Sequence, residues 1–537
     1  MNHKNNMPEV AISLSGGGFR AAMFHLGTLS YLNYLRLPDG RPFLDIVNVM
    51  STVSGGSITG LWYMMNFCKG LDTEESIRQL YAVLNDSDIL KDSIDSLLAK
   101  GNTNKSLIKE VERVYDSLFF HGETFGLLQN GVDNTHIHHF SANGTDFSTG
   151  YGFRFQASRR IINAKPEFSR GFIGNGTNRI PWDVASGIRL SEILAVSSCF
   201  PGAFEPLAYP HDFSICTDEQ YKYYTDEAMK KPIPLMDGGI VDNQGIEPIL
   251  LANRQMALDL KTNAGENCID LIIVSDVAST NIKSSHIPLP FNLPNITLYE
   301  VNCILNLVIV VLAVLGYCLY VWGKPLLLGG ELVLLLDAVL LRLSTRWLKR
   351  IVAKCIKFFP FSSKWNRLMH LPFGTMQQMI GSRLDSLVTL AQAVFMKPIR
   401  QMRYKALYED KGWTNRLISN NVTELSSKGT WKHKKNYLIP SEEMVKNSDL
   451  AASMGTSLWF SEEEKKDGMP EALFTAGQYN ICMNLLEYVS RIESDTSNTT
   501  TAHQIIVGCK QQLTDDWKRF LLNPKWLFMS HRNQENL

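Results

Sequence analysis

The sequence predicts an α/β fold with a mostly parallel central sheet, and two similar patterns near the N-terminus support this prediction. The apolar stretch Val10–Leu14 is typical of a buried strand, and a glycine-rich turn at 15–20 and an apolar helical stretch at 21–35 follow it. The same order returns with an apolar strand at 44–53, a glycine-rich turn at 54–57 and a further helix. Strands that alternate with helices over such short distances favour a sheet covered by helices.

Later segments continue this alternation. In chain order, the patterns predict helices over 72–130, strands around 153–156, a helix over 190–196, short strands over 232–236 and 268–274, and helices over 384–406 and 471–488. No internal repeat is visible in the sequence.

The composition excludes several classes of protein. Lys and Arg number 53 and Asp and Glu number 53, so the net charge is zero, which argues against a nucleic-acid-binding protein. With 45% hydrophobic and 20% charged residues, most of the chain is expected to fold. The nine cysteines show no metal-binding spacing, so we expect free thiols in a reducing compartment, no metal and no cofactor. Residues 1–8 lack the apolar core of a signal peptide.

Two apolar runs in the second half of the chain suggest contact with a membrane. Residues 303–322 are 20 residues without a charge, and a helix of that length spans about 30 Å, the thickness of a bilayer core. The alternative is a buried core helix. The run at 326–341 contains Glu331 and Asp337, each of which costs about 2.5–3.5 kcal/mol near a bilayer centre. This second run predicts a membrane-spanning helix, half of a re-entrant hairpin or an interfacial helix, and the sequence leaves these alternatives open.

A basic segment follows these runs. Residues 342–383 contain no acidic residue, and aromatic residues alternate with the lysines and arginines. This pattern suits an anionic membrane surface on the cytosolic side, and the alternative is a solvated charged helix. We therefore expect a catalytic core at 1–298, a membrane-associating insert at 299–375 and C-terminal helices at 376–537 that complete the core.

Ser54 is the best candidate for a nucleophile. It follows an apolar strand and precedes a helix that opens with Gly55 and Gly56. A sharp strand–turn–helix elbow exposes a serine and places it at a helix N-terminus. The elbow pattern G-x-S-x-G is incomplete here, because Thr52 stands at its first position. A simple glycine-rich turn is the alternative.

The glycines Gly16, Gly17 and Gly18 provide a run of backbone N–H groups after the first strand. Such a run forms an anion-binding nest, which serves either to bind a phosphate or to form an oxyanion hole. No Lys-Ser/Thr pair follows, so the loop is not a P-loop. The serine in the second glycine-rich turn favours the oxyanion hole.

Asp237 is a candidate general base. It follows a short strand and precedes Gly238 and Gly239, although an Asp-Gly-Gly sequence is usually only a turn, and Asp242 is a nearby competitor. A Ser-His-Asp triad would need a histidine in a comparable setting. Most of the twelve histidines lie in polar stretches, and His25, in the first helix, is expected to be structural.

Three motifs in this order resemble those of the patatin-like phospholipases. They are the glycine-rich loop at 15–20, the serine turn at 52–56 and the Asp-Gly-Gly at 237–239. Two further stretches look like segments of the same family, Thr-Asp-Phe-Ser-Thr-Gly at 145–150 and Ser-Ser-Cys-Phe-Pro-Gly-Ala-Phe at 197–204. The resemblance covers roughly the first half of the chain, with a weaker likeness in the late helix at 473–488.

The resemblance implies a patatin-type three-layer α/β/α sandwich, here with an inserted membrane-associating helical segment. It implies a Ser-Asp dyad without histidine, with Ser54 as nucleophile and Asp237 as general base. The oxyanion hole would consist of Gly16, Gly17 and Gly18. The supporting residues would be Gly55, Gly56, Gly238, Gly239 and Arg20, of which the arginine would hold the glycine loop or a lipid headgroup. Thr52 departs from the family's usual glycine.

The expected function is that of a membrane-associated lipid acyl hydrolase, similar to a phospholipase A or a lysophospholipase. Its partner would be membrane lipid, with an anionic surface bound through 342–383. Two alternatives remain at this point. The same dyad could transfer the acyl group to a lipid or alcohol, as in an acyltransferase or transacylase, or the protein could be an inactive membrane lipid-binding protein.

Overall fold

A computed structural model of the chain describes residues 7–99, 106–159, 173–226, 232–260, 267–277, 296–356, 396–494 and 501–533, together with 371, 372, 374, 375, 378 and 382. The chain divides into two compact units. The first consists of Met1–Ile282 and Ala393–Leu537, and the second of Lys283–Gln392.

The first unit is built on one mixed sheet of ten strands. The strands are β1 (Val10–Leu14), β2 (Val47–Val53), β3 (His139–Asp146), β4 (Tyr151–Ser158), β5 (Ile173–Gly174), β6 (Arg179–Ile180), β7 (Leu207–Tyr209), β8 (Ile233–Asp237), β9 (Leu271–Asp276) and β10 (Leu417–Asn421). Their order is β10-β9-β1-β2-β3-β4-β5-β6, with β8 also paired to β3 and β7 paired to β8. The pairs from β10 to β3 are parallel, whereas all the other pairs are antiparallel.

Helices cover both faces of this sheet. Those before the second unit are α1 (Gly18–Tyr34), α2 (Gly55–Cys68), α3 (Thr73–Asp86), α4 (Ile89–Leu98), α5 (Leu107–Tyr115), α6 (Phe125–Gly131), α7 (Trp182–Ser186), α8 (Leu190–Ser198), α9 (Asp218–Asp226), α10 (Gly239–Asp242) and α11 (Ile246–Leu260). The second unit contains α12 (Leu298–Val321) and α13 (Pro325–Ile356). Those after it are α14 (Met396–Glu409), α15 (Glu442–Ser453), α16 (Glu462–Lys466), α17 (Met469–Ser494), α18 (Thr501–Val507), α19 (Lys510–Leu522) and α20 (Trp526–Asn533).

The alternating side chains of β1 show why the structure has three layers. Val10, Ile12 and Leu14 point into the larger apolar core with α1, α2 and α17. Ala11 points to the opposite face, where a smaller core contains residues of α11 and α14. All five residues of β1 are buried, as expected of a parallel strand with helices on both sides.

The predicted α/β fold is confirmed, but the sheet is mixed rather than mostly parallel. The parallel half contains β1 and β2, whose glycine-rich turns the sequence pattern identified. The antiparallel half contains the strands from β3 to β8, and two of its pairs, β3 with β4 and β5 with β6, are joined by short turns, which antiparallel pairing allows. The strand expected at 44–53 begins at Val47, because a 3₁₀ turn occupies Phe43–Ile46.

The second unit contains two antiparallel helices in contact with each other. Within the described residues, one helix is long and apolar enough to cross a membrane, Tyr299–Val321, with a mean hydropathy of 2.6. The turn between the two helices contains Gly323, whose φ is 66°. The basic segment expected at 342–383 is helical up to Ile356, and 357–370 and most of 373–395 lie outside the described residues.

Candidate active site

Ser54 occupies a sharp turn between the end of β2 and the start of α2. Its backbone has φ 50° and ψ −120°. Ser54 is one of three non-glycine residues with a positive φ in the described part of the chain. A serine in this conformation is strained and persists only where its surroundings hold it. The turn places the half-buried Ser54 side chain at the N-terminus of α2, where the helix dipole favours negative charge.

The two glycines after Ser54 allow the serine turn to pack against the glycine loop. A β-carbon on Gly55 would overlap the backbone of Gly18, and one on Gly56 would overlap the carbonyl oxygen of Leu14. A β-carbon on Gly16 would lie 3.1 Å from the β-carbon of Ser54. The two glycine-rich turns predicted from the sequence are therefore in direct contact.

Thr52 fits at the position where the family usually has glycine. Its hydroxyl forms a 2.9 Å hydrogen bond with Ser57 and donates to the carbonyl oxygen of Ser141 at 3.2 Å. Its methyl group lies against Gly60, where a β-carbon would overlap Thr52 Cγ2. Because Gly60 leaves this space, threonine is accommodated without a change in the turn.

Asp237 lies at the end of β8, and the Ser54 side chain is close enough to its carboxyl group to lower the pKa of Asp237. The residue is 2% exposed, and its Oδ1 accepts a 2.6 Å hydrogen bond from the N–H of Gly239. Burial raises the pKa of Asp237 to about 7, while hydrogen bonds from the Gly239 amide and the Ser54 side chain act in the opposite direction. Burial therefore turns this carboxyl group into a stronger base than an exposed aspartate.

The backbone of Asp237 is fixed on both sides. Its N–H donates to the carbonyl oxygen of Cys199 at 3.0 Å, and its carbonyl oxygen accepts from the Thr145 hydroxyl at 2.8 Å. A β-carbon on Gly238 would overlap the carbonyl oxygen of Asn143, so β8 approaches β3 closely at this point. The two stretches at 145–150 and 197–204 thus position the aspartate.

Ser197 is a site residue to which the sequence assigned no role. Its Oγ accepts a 2.9 Å hydrogen bond from the N–H of Ser54 and donates to the carbonyl oxygen of Asn143 at 2.7 Å. It also bonds to Ser57 Oγ at 2.8 Å. The only signal in the sequence was its place in the Ser-Ser-Cys-Phe-Pro-Gly stretch, which did not reveal its partners.

The glycine loop presents fewer free donors than its sequence suggested. The N–H of Gly16 donates to the carbonyl oxygen of Asn243 at 3.1 Å, so Gly16 shapes the loop rather than offering a donor to an oxyanion. The N–H groups of Gly17 and Gly18 have no acceptor among the described residues. Their φ values of 151° and 60° lie in the region that favours glycine. Two N–H groups therefore remain at the N-terminus of α1, beside Ser54.

Residues 12–250 match the family model for patatin-like phospholipases. This part of the chain is a patatin-like phospholipase domain. The match begins inside β1 and ends inside α11, so it includes the glycine loop, Ser54 and Asp237. The later strand β10 and helix α17 belong to the same sheet and core as the patatin-like domain but lie beyond the matched residues.

Solved structures of human GIVD cytosolic phospholipase A2 resemble parts of the chain. Two of them are complexes with methyl gamma-linolenyl fluorophosphonate. The three are 16%, 12% and 15% identical, with TM-scores of 0.25, 0.31 and 0.29. They cover 37%, 51% and 51% of this chain, which spans 30%, 43% and 41% of theirs, so the likeness carries no argument about activity. No curated protein matches the chain.

The Arg20 side chain links the end of the glycine loop in the patatin-like domain to the segment around Met454. Its Nη1 donates to the carbonyl oxygen of Met454 at 2.7 Å, and the residue is 8% exposed. Burial lowers the pKa of Arg20 to about 10, and the charge of Asp276 partly opposes this. The start of α1 makes a second contact with this later segment, because the N–H of Phe19 donates to the carbonyl oxygen of Ser457 at 2.8 Å.

The competing titratable residues have structural roles. Asp242 accepts hydrogen bonds from the N–H groups of Gly245 and Glu247, so it stabilises the start of α11. His25 is fully buried and bonds to the carbonyl oxygen of Ser15 and to Ser275 Oγ, at 3.0 and 2.9 Å. Burial lowers the pKa of His25 to about 4. In the described part of the chain, no group of three or more His, Cys, Asp or Glu could hold a metal.

Proposed function

We propose that the protein is a membrane-associated lipid acyl hydrolase of the phospholipase A or lysophospholipase type. The observation that carries the proposal is the position of Ser54, in its strained turn, next to the buried carboxyl group of Asp237, whose pKa the Ser54 side chain lowers. Gly17 and Gly18 lie beside this pair with N–H groups that have no acceptor among the described residues. A nucleophile, a base and two donors are the parts that ester hydrolysis requires.

In the first half of the reaction, Ser54 Oγ attacks the ester carbonyl carbon of the lipid. The hydroxyl proton passes to Asp237, and the negative charge that develops on the carbonyl oxygen is stabilised by the N–H groups of Gly17 and Gly18. When the tetrahedral intermediate collapses, the ester bond breaks and Asp237 returns the proton to the departing alkoxide. The products are an acyl-Ser54 ester and a lipid alcohol.

In the second half, water replaces the alcohol. Asp237 removes a proton from the water as its oxygen attacks the acyl carbon, and the same two N–H groups stabilise the second oxyanion. Collapse releases a free fatty acid, and the proton on Asp237 returns to Ser54 Oγ. The pKa of about 7 suits both steps, since general bases work best with a pKa near the operating pH.

The proposal includes the membrane because α12 suits lipid better than water. Residues Tyr299–Val321 reach a mean hydropathy of 2.6, and most of them are exposed. The basic residues of 342–383 follow on the chain and would bind anionic headgroups on the cytosolic side. A membrane anchor would keep the enzyme at the surface of an insoluble substrate.

The test of the chemistry is a panel of lipid esters with the full-length protein in detergent. We expect Ser54→Ala to lower kcat by at least about a thousandfold and to abolish labelling by a fluorophosphonate probe. Ser494→Ala, an exposed serine at the end of α17, is the control and should retain full activity. Wild-type activity in Ser54→Ala would refute the mechanism. Acylated acceptor in place of free fatty acid would instead identify a transacylase.

A further inference from the structure

The two helices of the second unit expose apolar side chains on their outer surface, which is the reverse of a helix pair in a water-soluble protein. Among the described residues, 34 large hydrophobic residues are exposed, and 22 of these lie between Tyr299 and Trp347. Soluble proteins rarely expose a contiguous apolar surface of this extent. On α13 as well as on α12, the residues that face outward are mainly Leu and Val.

Polar side chains lie between the two helices. Arg342 Nε donates to Asn306 Oδ1 at 3.0 Å, and Thr345 Oγ1 donates to Asn302 Oδ1 at 3.0 Å. Hydrogen bonds between helices and apolar outer surfaces are the arrangement found in membrane-embedded helix pairs. The same arrangement in water would leave the apolar surface uncovered.

Glu331 faces α12 rather than the outside. Its residue is 5% exposed, and a β-carbon on Gly316 would lie 2.5 Å from Oε2 of this carboxyl group. The glycine therefore makes room for Glu331 between the helices. Of the two acidic residues that argued against α13 as a membrane helix, only Asp337 faces outward, and its cost of about 2.5–3.5 kcal/mol is offset by several leucines of about −0.3 to −0.6 kcal/mol each.

Aromatic residues mark both ends of this helix pair. Tyr299 and Trp347 are exposed at the open end, and Tyr320 and Trp322 are exposed at the closed end. From Tyr299 to Tyr320 the helix rises about 31 Å, close to the thickness of about 30 Å of a bilayer core. Tyr and Trp are enriched at the two interfaces of membrane helices, so this spacing fits a full crossing.

The sheet of the first unit requires an even number of crossings. Strand β9 lies before the helix pair and β10 lies after it, yet the two strands are adjacent and parallel, with Leu417 opposite Ile272. Both strands must therefore lie on the same side of the membrane. In the rest of the chain between β9 and β10, over 277–297 and 357–395, the longest stretch without a charged residue has 15 residues, which is too short to cross. If α12 crosses, the return must be made by α13.

We propose that α12 and α13 cross the bilayer as an antiparallel hairpin, with the turn at 322–324 on the side opposite the catalytic unit. This inference rests on the membrane part of the proposed function, and for the second apolar run it selects the spanning helix over the re-entrant and interfacial alternatives. The basic residues from Arg342 onward lie at the open end of the hairpin, which places the catalytic unit on the cytosolic side.

The experiment uses the full-length protein in sealed vesicles whose cytosolic face is outward. A protease recognition site is inserted after Gly323, and in two other variants after Gly40 or after Gly468, in turns of the catalytic unit before and after the hairpin. Each variant is also assayed for labelling of Ser54 by a fluorophosphonate. We expect cleavage after Gly40 and Gly468 in intact vesicles, and cleavage after Gly323 only once detergent is added.

A pair of lysine variants gives the same information with a smaller change. Lys324→Cys and the exposed Lys466→Cys are treated with a membrane-impermeant maleimide, and modification at each position is measured by mass spectrometry. Detergent should raise modification at 324 by about tenfold or more and leave that at 466 nearly unchanged. Because a single substitution changes the turn less than an insertion does, Lys324→Cys still measures the accessibility of the turn if the insertion after Gly323 disturbs the hairpin.

Each of the other outcomes contradicts a different part of the proposed membrane topology. If the tip is accessible in intact vesicles while the protein stays in the membrane after carbonate extraction, the hairpin is wrong and a re-entrant or interfacial placement is right. If one flanking site is protected, the chain crosses once. Release of the protein by carbonate refutes both the hairpin and the membrane part of the proposed function. None of these results affects Ser54, whose role is judged by activity in detergent.

Discussion

The backbone N–H of Ser54 donates a 2.9 Å hydrogen bond to Oγ of Ser197, and the same oxygen donates its proton to the carbonyl of Asn143 at 2.7 Å. The strained turn at the end of β2 is therefore tied to the end of α8 and to β3. Because Asn143 also lies against Gly238, the residue after Asp237, Ser197 connects the turn that contains Ser54 with the turn that contains Asp237.

We predict that Ser197→Ala lowers kcat by about tenfold to a hundredfold without a comparable change in KM. The substitution removes the acceptor of the Ser54 N–H and leaves that strained turn less well held, so the distance between hydroxyl and base varies. Steady-state kinetics on a soluble ester, with circular dichroism to confirm folding, measure this effect.

Ser198→Ala is the matched control. The Ser198 hydroxyl donates to the carbonyl oxygen of Leu194, one turn earlier in α8, and bonds to Tyr115 at 3.1 Å, and neither partner belongs to the serine turn. We expect its kcat to stay within about threefold of the wild-type value. Equal losses in both variants would show that the effect comes from α8 as a whole and not from the bond to Ser54.

Thr52 and Gly60 are predicted to depend on each other. Gly60→Ala would press a β-carbon onto Thr52 Cγ2 and disturb the strand that leads into Ser54, at a cost of about 1–3 kcal/mol in stability. Thr52→Ser removes that methyl group but keeps the hydroxyl that bonds to Ser57. The double variant should therefore recover most of the stability and activity lost in Gly60→Ala.

The double-mutant cycle is measured by thermal unfolding and by ester hydrolysis of the four proteins. A coupling free energy of about 1 kcal/mol or more is expected for residues in direct contact. Additive losses would mean that Gly60 serves some other purpose than to accommodate threonine at the first position of the elbow.

The sequence predicted the parts of the site that local chemistry dictates. Glycines after a buried strand specify close backbone approach, and for this reason the turns around Gly17 and Ser54 could be identified before their contact was known. The fold class followed from the same alternation of strands and helices. What the sequence could not show was long-range pairing, such as the bond between Ser54 and Ser197 or the acceptor of the Gly16 N–H.

The same limit explains the difference in the sheet and in the helix pair. Local patterns show that a strand exists but not which neighbour it joins, so they do not predict the antiparallel pairing of β8 with β3. Glu331 counted against a membrane helix while only its place in the chain was known. Its position opposite Gly316 depends on the packing of two helices, which a single segment does not determine.

The pKa of Asp237 predicts an acidic limb in the pH profile of activity. Burial raises this pKa to about 7, and the carboxyl group must be ionised to accept the proton of Ser54. We therefore expect kcat/KM to be half-maximal near pH 7 and about a hundredfold lower near pH 5. Initial rates on a neutral ester between pH 5 and 9 test this, and a profile that is flat down to pH 5 would contradict it.

The same carboxyl group is predicted to reduce stability at the pH where the enzyme works. Its folded pKa of about 7 lies above the ordinary aspartate pKa of 3.8, so its contribution to stability is fully present below 3.8 and is lost as the pH rises through 7. Asp237→Asn removes the charge and keeps an oxygen for the N–H of Gly239. We expect this variant to lose activity but to raise Tm by about 2–4 °C at pH 8, with a smaller gain near pH 5.

Asp242→Asn is the control for burial, because the Asp242 carboxylate accepts two backbone N–H groups at the start of α11 and has no place in the proposed reaction. It should stay active and gain less. A lower Tm for Asp237→Asn at pH 8 would show that Asp237 stabilises the fold in its ionised form.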